Sequence, residues 1–279
     1  MFRAARSGLS FLVVIGALTV LWEVVKLLGG DPSEAWTPPF QWTVASDLNM
    51  PHVWDIAASF VEPAQRNGPP LGVVLVKAGI FTFQEAFGGF VFGALLGLTL
   101  AIVFVHSPLL ERALVPYVVA SQTVPIIAIA PVVVIWLRGG WLAVAVISAY
   151  LTFFPVAIAG LRGLRSPDPR ALELMRSYAV GELTVFRLVR VPTALPFLFT
   201  ALRVASVLAM IGAIVSEYYG GALDTLGANI EQDASLFQFE KAWSEIVIAC
   251  ILGIGFYLAV VLVERVATRW QPRVEMVGA

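Results

Sequence analysis

The chain has 279 residues, of which 59% are hydrophobic and 13% are charged, and its formal net charge is −1. Soluble domains average about 25% charged and roughly 45–50% apolar residues, so this composition indicates an integral membrane protein. A single cysteine excludes a disulfide framework within the chain and a Cys-based metal site, and the lack of a basic block interleaved with aromatic residues excludes nucleic-acid binding.

Six apolar runs reach the length of roughly 20 residues that a helix needs to cross a bilayer. The first run follows Arg3 and Arg6, but it is longer than the apolar core of a signal peptide and no cleavage motif follows Leu28, so we expect a retained span. Together the runs predict an all-α membrane protein with six transmembrane helices in one domain over residues 1–279. The predicted spans are 8–28, 86–105, 113–137, 141–161, 194–215 and 242–263.

The distribution of charge orients these spans. With the amino terminus inside, the arginines concentrate in the cytoplasmic segments, above all in 162–193, whereas the outer segments 29–79 and 220–241 are rich in Asp and Glu. This is the positive-inside bias, so we predict that both termini are cytoplasmic. The first outer segment is also rich in Pro and Trp, and its tryptophans are typical of the headgroup level of a bilayer.

Several residues inside the spans are unusual for lipid-facing helices. Glycines recur at mostly four-residue spacing in GGFVFGALLGL of the second span, which predicts close packing against another helix. Glu85 and Glu217 stand at the outer ends of the second and fifth spans, where we expect the membrane interface. Arg203 lies within the fifth span, and because a charge at a helix centre costs about 2.5–3.5 kcal/mol on insertion scales, we expect its guanidinium to reach the cytoplasmic surface.

Prolines mark the third and fourth spans. Pro125 and Pro131 fall within the third and Pro155 within the fourth, and each removes a backbone donor, so that freed carbonyls need other partners in lipid. Two interpretations stay open: kinked helices that pack together, or kinks that border a translocation path. The candidate path residues are Ser121, Gln122, Thr123, Pro125, Pro131 and Pro155, with Ser206 in the fifth span.

Between the fourth and fifth spans lies a charged segment, ALELMRSYAVGELTVFRLVRVPTALP. Its apolar residues recur at three- and four-residue steps, as on one face of a helix, and we expect Gly181 near the middle to divide it into two short helices. The apolar face either lies on the protein's own spans and the lipid surface or docks into a soluble partner. This face consists of Leu172, Met175, Ala179, Leu183, Phe186 and Val189.

The segment resembles the EAA loop of permease subunits from binding-protein-dependent ABC importers, whose pattern is E-A-A, three residues, G, nine residues and I-x-L-P. Glu173 matches the glutamate, and Val189, Val191 and Pro192 fall on the I-x-L-P positions. The stretches VPIIAIAPVVVIWLRGG, TFFPVAIAGLRGL and SEYYGGALDTLGANI resemble further parts of the family. The likeness is greatest to the nitrate, taurine and sulfonate permease group, which includes permeases for riboflavin and for thiamine pyrimidine precursors.

The match departs from the family pattern at the turn. Ala179 stands where the pattern has its glycine, and Gly181 follows two residues later. The turn between the two short helices therefore has two candidate positions.

The resemblance implies an ABC importer permease of the type I fold, with cytoplasmic EAA coupling helices, in the inner membrane of a bacterial cell. It also implies the partners, which are two ATPase subunits, a second permease copy or a paralogue, and an extracytoplasmic solute-binding protein. The chain has no G-x-x-x-x-G-K-[ST] motif, so we expect no enzyme activity, no catalytic or metal site and no cofactor. The residues that the resemblance assigns to ATPase coupling are Glu173, Ala179, Gly181, Val189, Val191 and Pro192.

The solute is open between two groups. Because Arg203 is the only cation within a core span, a neutral or aromatic solute such as riboflavin or a thiamine pyrimidine precursor is favoured over a sulfonate, taurine or nitrate. The alternative class is a secondary transporter driven by an ion gradient, but the third and fourth spans offer no acid for an ion site. An intramembrane enzyme is excluded because no Asp or His lies within a predicted span.

Overall fold

The computed structural model describes residues 2–29, 45–46, 48–220, 222 and 224–270, with the side chains of residues 2–9, 11 and 12 excepted. This part of the chain is helical and contains no β-strand, which confirms the all-α prediction. Most of the Pro- and Trp-rich stretch, at residues 30–44, lies outside the described residues. The helices are α1 (Phe2–Gly29), α2 (Val53–Ser59), α3 (Leu71–His106), α4 (Pro108–Ser121), α5 (Ile126–Trp136), α6 (Gly140–Arg165), α7 (Pro169–Ser177), α8 (Glu182–Val185), α9 (Val191–Tyr218), α10 (Leu226–Ser235) and α11 (Phe239–Ala267), with a π-helical turn, Phe186–Arg190, between α8 and α9.

Within the described residues, four helical segments are long and apolar enough to cross a membrane: α3, α6, α11 and the continuous segment Glu182–Tyr218 that includes α9. α1 includes residues 8–28, the first predicted span, but it is not one of these four segments. α3 begins at Leu71 instead of residue 86, and its 36 residues extend about 54 Å, which exceeds the roughly 30 Å of a bilayer core. Lys77 and Glu85 interrupt the apolar run there without ending the helix.

The predicted third span, 113–137, is broken between α4 and α5, where the prolines led us to expect only a kink. The two helices together are apolar enough for one span but bend by 95°. Pro125 does not lie inside a helix but precedes α5, with φ −64° and ψ 118°. Proline has no N–H to continue the ladder of α4, and it disfavours the helical conformation of Val124 before it, so the helix ends there. Pro131 remains inside α5.

The chain divides into two compact units, one made of residues 1–77 and 229–248 and the other of residues 78–228 and 249–279. In the second unit the main core is built from α3, α6, α9 and the latter part of α11. Its fully buried side chains include Val144, Val156 and Met210, and Phe256 lies edge-on to Phe90 with ring centroids 5.0 Å apart. This core holds α6 and α9, the two helices that flank the charged segment, against each other.

Close backbone contact between α3 and α6 confirms the packing role predicted for the glycines. A Cβ atom at Gly89 would lie 2.7 Å from the Ala145 carbonyl oxygen, and one at Gly93 would lie 2.5 Å from the Ala149 carbonyl oxygen. Neither distance leaves room for a methyl group. The glycines therefore let the two helices approach more closely than larger side chains would allow.

In the first unit, the end of α1 holds the segment that precedes α2. Trp22 Nε1 donates to the Pro51 carbonyl at 3.0 Å. Glu23 accepts a hydrogen bond from the Val53 amide at 2.9 Å, and its second oxygen lies 2.7 Å from His52 Nδ1. In the same unit Ser244 Oγ lies 2.6 Å from Ser59 Oγ, so α2 is fastened to the start of α11.

Candidate coupling segment and translocation groove

The charged segment between α6 and α9, residues 166–190, is called here the coupling segment. α7 begins after Asp168, whose side chain accepts a hydrogen bond from the Arg170 amide at 2.9 Å, and Pro169 takes the first helical position. This is the usual start of a helix, because the side-chain oxygen satisfies one of the free amides. All of α7 is described, and none of its residues is buried.

The coupling segment carries two sets of apolar residues. Part of the predicted face is half-buried on the protein itself, and Phe186 lies 5.3 Å from the His106 ring. A second set points away from the protein, with Tyr178 as its most exposed member at 74%. One face of the segment therefore lies on the protein's own spans, and a second apolar set is left uncovered. The exposed set is Leu174, Tyr178, Leu183 and Leu188.

The turn of the coupling segment lies at Ala179, the position of the family's glycine. Ala179 has φ +52°, in the left-handed region. The Ala179 amide donates to the Arg176 carbonyl at 2.9 Å, and the Val180 amide donates to the Met175 carbonyl at 3.1 Å. This pair of hydrogen bonds is the Schellman motif of a helix end. Gly181 has an ordinary φ of −64° and precedes α8 as its N-cap. Of the two candidate positions, the structure thus selects Ala179.

The six predicted coupling residues fall into two groups. Glu173, Ala179 and Gly181 are exposed on the turn and on α7. The others are half-buried where the segment joins the spans, and Val191 packs on a cluster of α3, α6 and α9 side chains. The half-buried members are Val189, Val191 and Pro192.

Polar contacts join the coupling segment to the end of α6, and the end of α6 to the start of α4. Arg190 Nη1 donates to the Leu164 carbonyl of α6 at 3.0 Å. Arg165 at the end of α6 forms a two-point ion pair with Glu111 in the first turn of α4. A guanidinium and a carboxylate joined at both pairs of atoms hold a defined geometry.

A groove of about 570 Å³ runs between α6 and α9. Its walls are apolar with two phenylalanines, Phe154 and Phe197, and Arg162 supplies a cation. Of the predicted path residues, Pro155 lines it. The full lining is Phe154, Pro155, Ile158, Ala159, Arg162, Pro196, Phe197, Thr200, Ala201 and Val204.

The other predicted path residues are not among the described residues that line this groove. Ser121 and Thr123 donate back to carbonyls of α4, each at 2.7 Å, and Tyr150 donates to the Ser121 carbonyl. Within the described chain, Gln122 Nε2 is buried without a hydrogen-bond partner. Ser206 is buried and donates to the Arg203 carbonyl at 2.8 Å. The structure thus places Ser121–Thr123 at the break between α4 and α5, and Ser206 inside a helix contact.

The two acids that the sequence places at the outer ends of spans are buried within the protein. Glu85 is 0% and Glu217 is 1% exposed. Glu217 Oε2 accepts from the Gly227 amide at 2.8 Å and from Thr82 Oγ1 at 3.1 Å, and Thr82 Oγ1 in turn accepts from the Leu226 amide at 3.1 Å. Glu217 therefore satisfies a free amide at the start of α10 and ties it to α3 and α9. No local pattern predicts this role, because Thr82 lies 135 residues before Glu217 in the chain.

Arg203 has partners within the protein that the sequence did not indicate. Its Nε lies 3.2 Å from a carboxylate oxygen of Glu264 in α11. Nη2 donates to Thr200 Oγ1 at 3.2 Å. Charged groups in spanning helices are commonly paired with each other, and this pair links α9 to α11.

Comparison with known proteins fits this arrangement. Residues 89–276 match the family model described as binding-protein-dependent transport system inner membrane component. The formylaminopyrimidine transport permease protein ThiX of Halalkalibacterium halodurans is 31% identical over 232 residues, which cover 79% of this chain and 92% of ThiX. The riboflavin transport system permease protein RibX of Chloroflexus aurantiacus is 30% identical over 190 residues, covering 68% of this chain and 70% of RibX.

Among solved structures, a chain of the inward-facing MetNI methionine ABC transporter superposes with a TM-score of 0.61. The superposition covers 70% of this chain and 97% of that chain at 20% identity, so it concerns the fold alone. It confirms the predicted type I importer fold. Because the family model matches residues 89–276, which are most of the chain, the chain belongs to the family of binding-protein-dependent transport system inner membrane components. These are the permease subunits of ABC importers.

Proposed function

We propose that this permease forms one half of the translocation path of a bacterial importer. It pairs with a second copy or a paralogue, receives its solute from an extracytoplasmic solute-binding protein, and is driven by two ATPase subunits that bind the coupling segment. Its termini lie in the cytoplasm. The observation that carries this proposal is the uncovered apolar set of the coupling segment, at the charged end of the spans.

The exposed set suits a helix that docks in a groove of a soluble subunit. Burying a side chain of this kind contributes roughly 1.5–3 kcal/mol, so covering several of them supports a stable interface. The fixed contacts of Arg190 and Arg165 then carry a movement of the ATPase into the spans. ATP binding can change the conformation of the transporter only if ATP binds its two conformations with different affinity.

We assign the solute path to the groove between α6 and α9. The rings of Phe154 and Phe197 offer stacking surfaces for a planar heteroaromatic solute, which supports riboflavin or a thiamine pyrimidine precursor, as do the names of RibX and ThiX. Arg162 in the same groove would bind an anionic group of a solute, so sulfonate, taurine and nitrate are the competing solutes. The other path residues stay predictions: Ser121, Gln122, Thr123, Pro125, Pro131 and Ser206.

The proposal is tested by purifying the tagged permease from its native membrane under mild detergent conditions. We expect an ATPase subunit to copurify with the wild type and to be lost from Leu174→Glu and from Glu173→Lys. Leu174→Glu places a charge within the exposed apolar set, and Glu173→Lys reverses the charge next to it. The matched control is Leu109→Glu, since Leu109 is 77% exposed at the start of α4 but lies outside the coupling segment. Retention of the ATPase by both coupling variants, or uptake that follows an ion gradient without ATP, would contradict the proposal.

A further inference from the structure

The break between α4 and α5 places irregular backbone at membrane depth. The two helices together make one span, and Tyr150 of α6, which donates to the Ser121 carbonyl at the break, lies about 22 Å from the end of α6 at Arg165. Residues 123–125, which follow, are exposed. Irregular backbone at this depth is tolerated only where protein covers it or where it lines a water-filled cavity. Because the described chain leaves this stretch uncovered, it faces a water-filled path or a second permease copy.

A buried amide with no partner lies at the same break. The hydroxyl groups of Ser121 and Thr123 both donate to carbonyls of α4, whereas Gln122 Nε2 between them is buried and has no hydrogen-bond partner among the described residues. A buried donor without a partner lowers the stability of a protein, and native structures hold few of them. An apolar side chain of similar size would avoid this cost. A ligand that accepts the hydrogen bond would explain why the chain has an amide here.

The break lies next to the groove between α6 and α9. Phe154 and Ile158 line the groove from α6, and Tyr150 stands one helical turn before Phe154 on the same face of that helix. The Tyr150 hydroxyl is bonded to the Ser121 carbonyl, so the residue before Gln122 lies at this end of the groove. A solute that moves along the groove past Phe154 therefore meets the break next.

We propose that Gln122 determines solute specificity, and that its amide donates a hydrogen bond to a carbonyl oxygen or a ring nitrogen of the solute. This rests on the proposed function, which assigns the solute path to the groove. A planar heteroaromatic solute offers a face to the Phe154 ring and acceptor atoms at its edge to the amide. A site that hydrogen-bonds its ligand discriminates strongly against compounds that lack the bonding group, whereas an apolar wall alone discriminates weakly.

The test uses the assembled transporter, the permease with its ATPase subunits and binding protein, in lipid vesicles supplied with ATP. Uptake of riboflavin and of a formylaminopyrimidine is measured at saturating solute, together with the unfolding temperature of the transporter. We expect Gln122→Leu to lower the maximal uptake rate at least about tenfold and to raise the unfolding temperature, because it removes the donor to the solute and the unsatisfied buried group together. Gln122→Glu keeps the size but loses the donor, so it should lower uptake as much without raising the unfolding temperature.

The matched control is Thr152→Val. Thr152 Oγ1 is also buried without a hydrogen-bond partner among the described residues, but Thr152 lies against Gly93 at the contact of α6 with α3. We expect this variant to keep the wild-type uptake rate and to unfold at no lower temperature than the wild type. If Gln122→Leu takes up solute at the wild-type rate, or unfolds at a lower temperature because the amide is bonded within the protein or to a second copy, the inference is overturned. If the wild type takes up neither solute, the proposed solute class fails and the inference fails with it.

Discussion

At the scale of single residues, the turn of the coupling segment is held by an alanine in a glycine conformation. A left-handed φ costs a residue with a Cβ about 1–2 kcal/mol, so Ala179→Gly should stabilise the protein by about 1 kcal/mol. Gly181→Ala should be close to neutral, because Gly181 has an ordinary φ and a Cβ there meets open space. Thermal unfolding of the detergent-solubilised variants measures both effects. A larger gain from Gly181→Ala than from Ala179→Gly would show that the turn lies elsewhere.

Glu217 is the residue whose role the structure changes most. Glu217→Gln retains an oxygen that accepts from the Gly227 amide, whereas Glu217→Leu leaves that buried N–H without a partner, at a cost of about 1–3 kcal/mol. We therefore expect Glu217→Leu to lower the unfolding temperature markedly more than Glu217→Gln. If both substitutions lowered the unfolding temperature equally, the charge of Glu217, and not its hydrogen bond to α10, would determine its contribution to stability.

The family pattern in the sequence predicts the coupling residues, but nothing in the sequence indicates the partners of Glu217 and Arg203. Glu173, Val189 and Pro192 are readable because the family pattern is local, within a short stretch of chain. The links from Glu217 to Thr82 and from Arg203 to Glu264 join positions far apart in sequence, and no periodicity signals them. A buried acid and an interfacial acid look alike in the sequence, since both follow an apolar run.

At the scale of elements, the contact between α3 and α6 depends on glycine. Gly93→Ala would place a methyl group 2.5 Å from the Ala149 carbonyl oxygen, and such overpacking typically costs about 1–3 kcal/mol. The matched control is Gly253→Ala in α11, where a Cβ meets open space and alanine favours the helix. Thermal unfolding should separate the two, with a loss for Gly93→Ala and none for Gly253→Ala. A loss in both would point to a general intolerance of substitution in the spans.

The apolar runs predict helical segments but not the residues at which the helices begin and end. The start of α3 at Leu71 was not predicted, because Lys77 and Glu85 break the apolar run but not the helix. The break before α5 was expected only as a kink, since a proline inside an apolar run signals a bend without giving its angle.

At the scale of the whole molecule, the chain combines a groove between α6 and α9 with a coupling segment that leaves apolar side chains uncovered. Membership of the family was readable from the sequence because the EAA-like pattern and the proline-containing stretches occur in the expected order. The groove was only partly predictable: Pro155 lines it, but Phe154, Arg162 and Phe197 became candidates only when α6 and α9 were seen side by side. Which side chains face one another across two helices depends on their packing angle, which composition does not determine.

Cross-linking at Tyr178 tests the proposed contact between the coupling segment and the ATPase. Cys250→Ser removes the only cysteine of the chain, and Tyr178→Cys then offers one thiol to a reagent that joins it to a neighbouring amine in membranes holding the whole transporter. We expect a product that contains the permease and an ATPase subunit, with a yield that changes when ATP is added, and no such product from Leu109→Cys. An ATPase product from Leu109→Cys but not from Tyr178→Cys would contradict it.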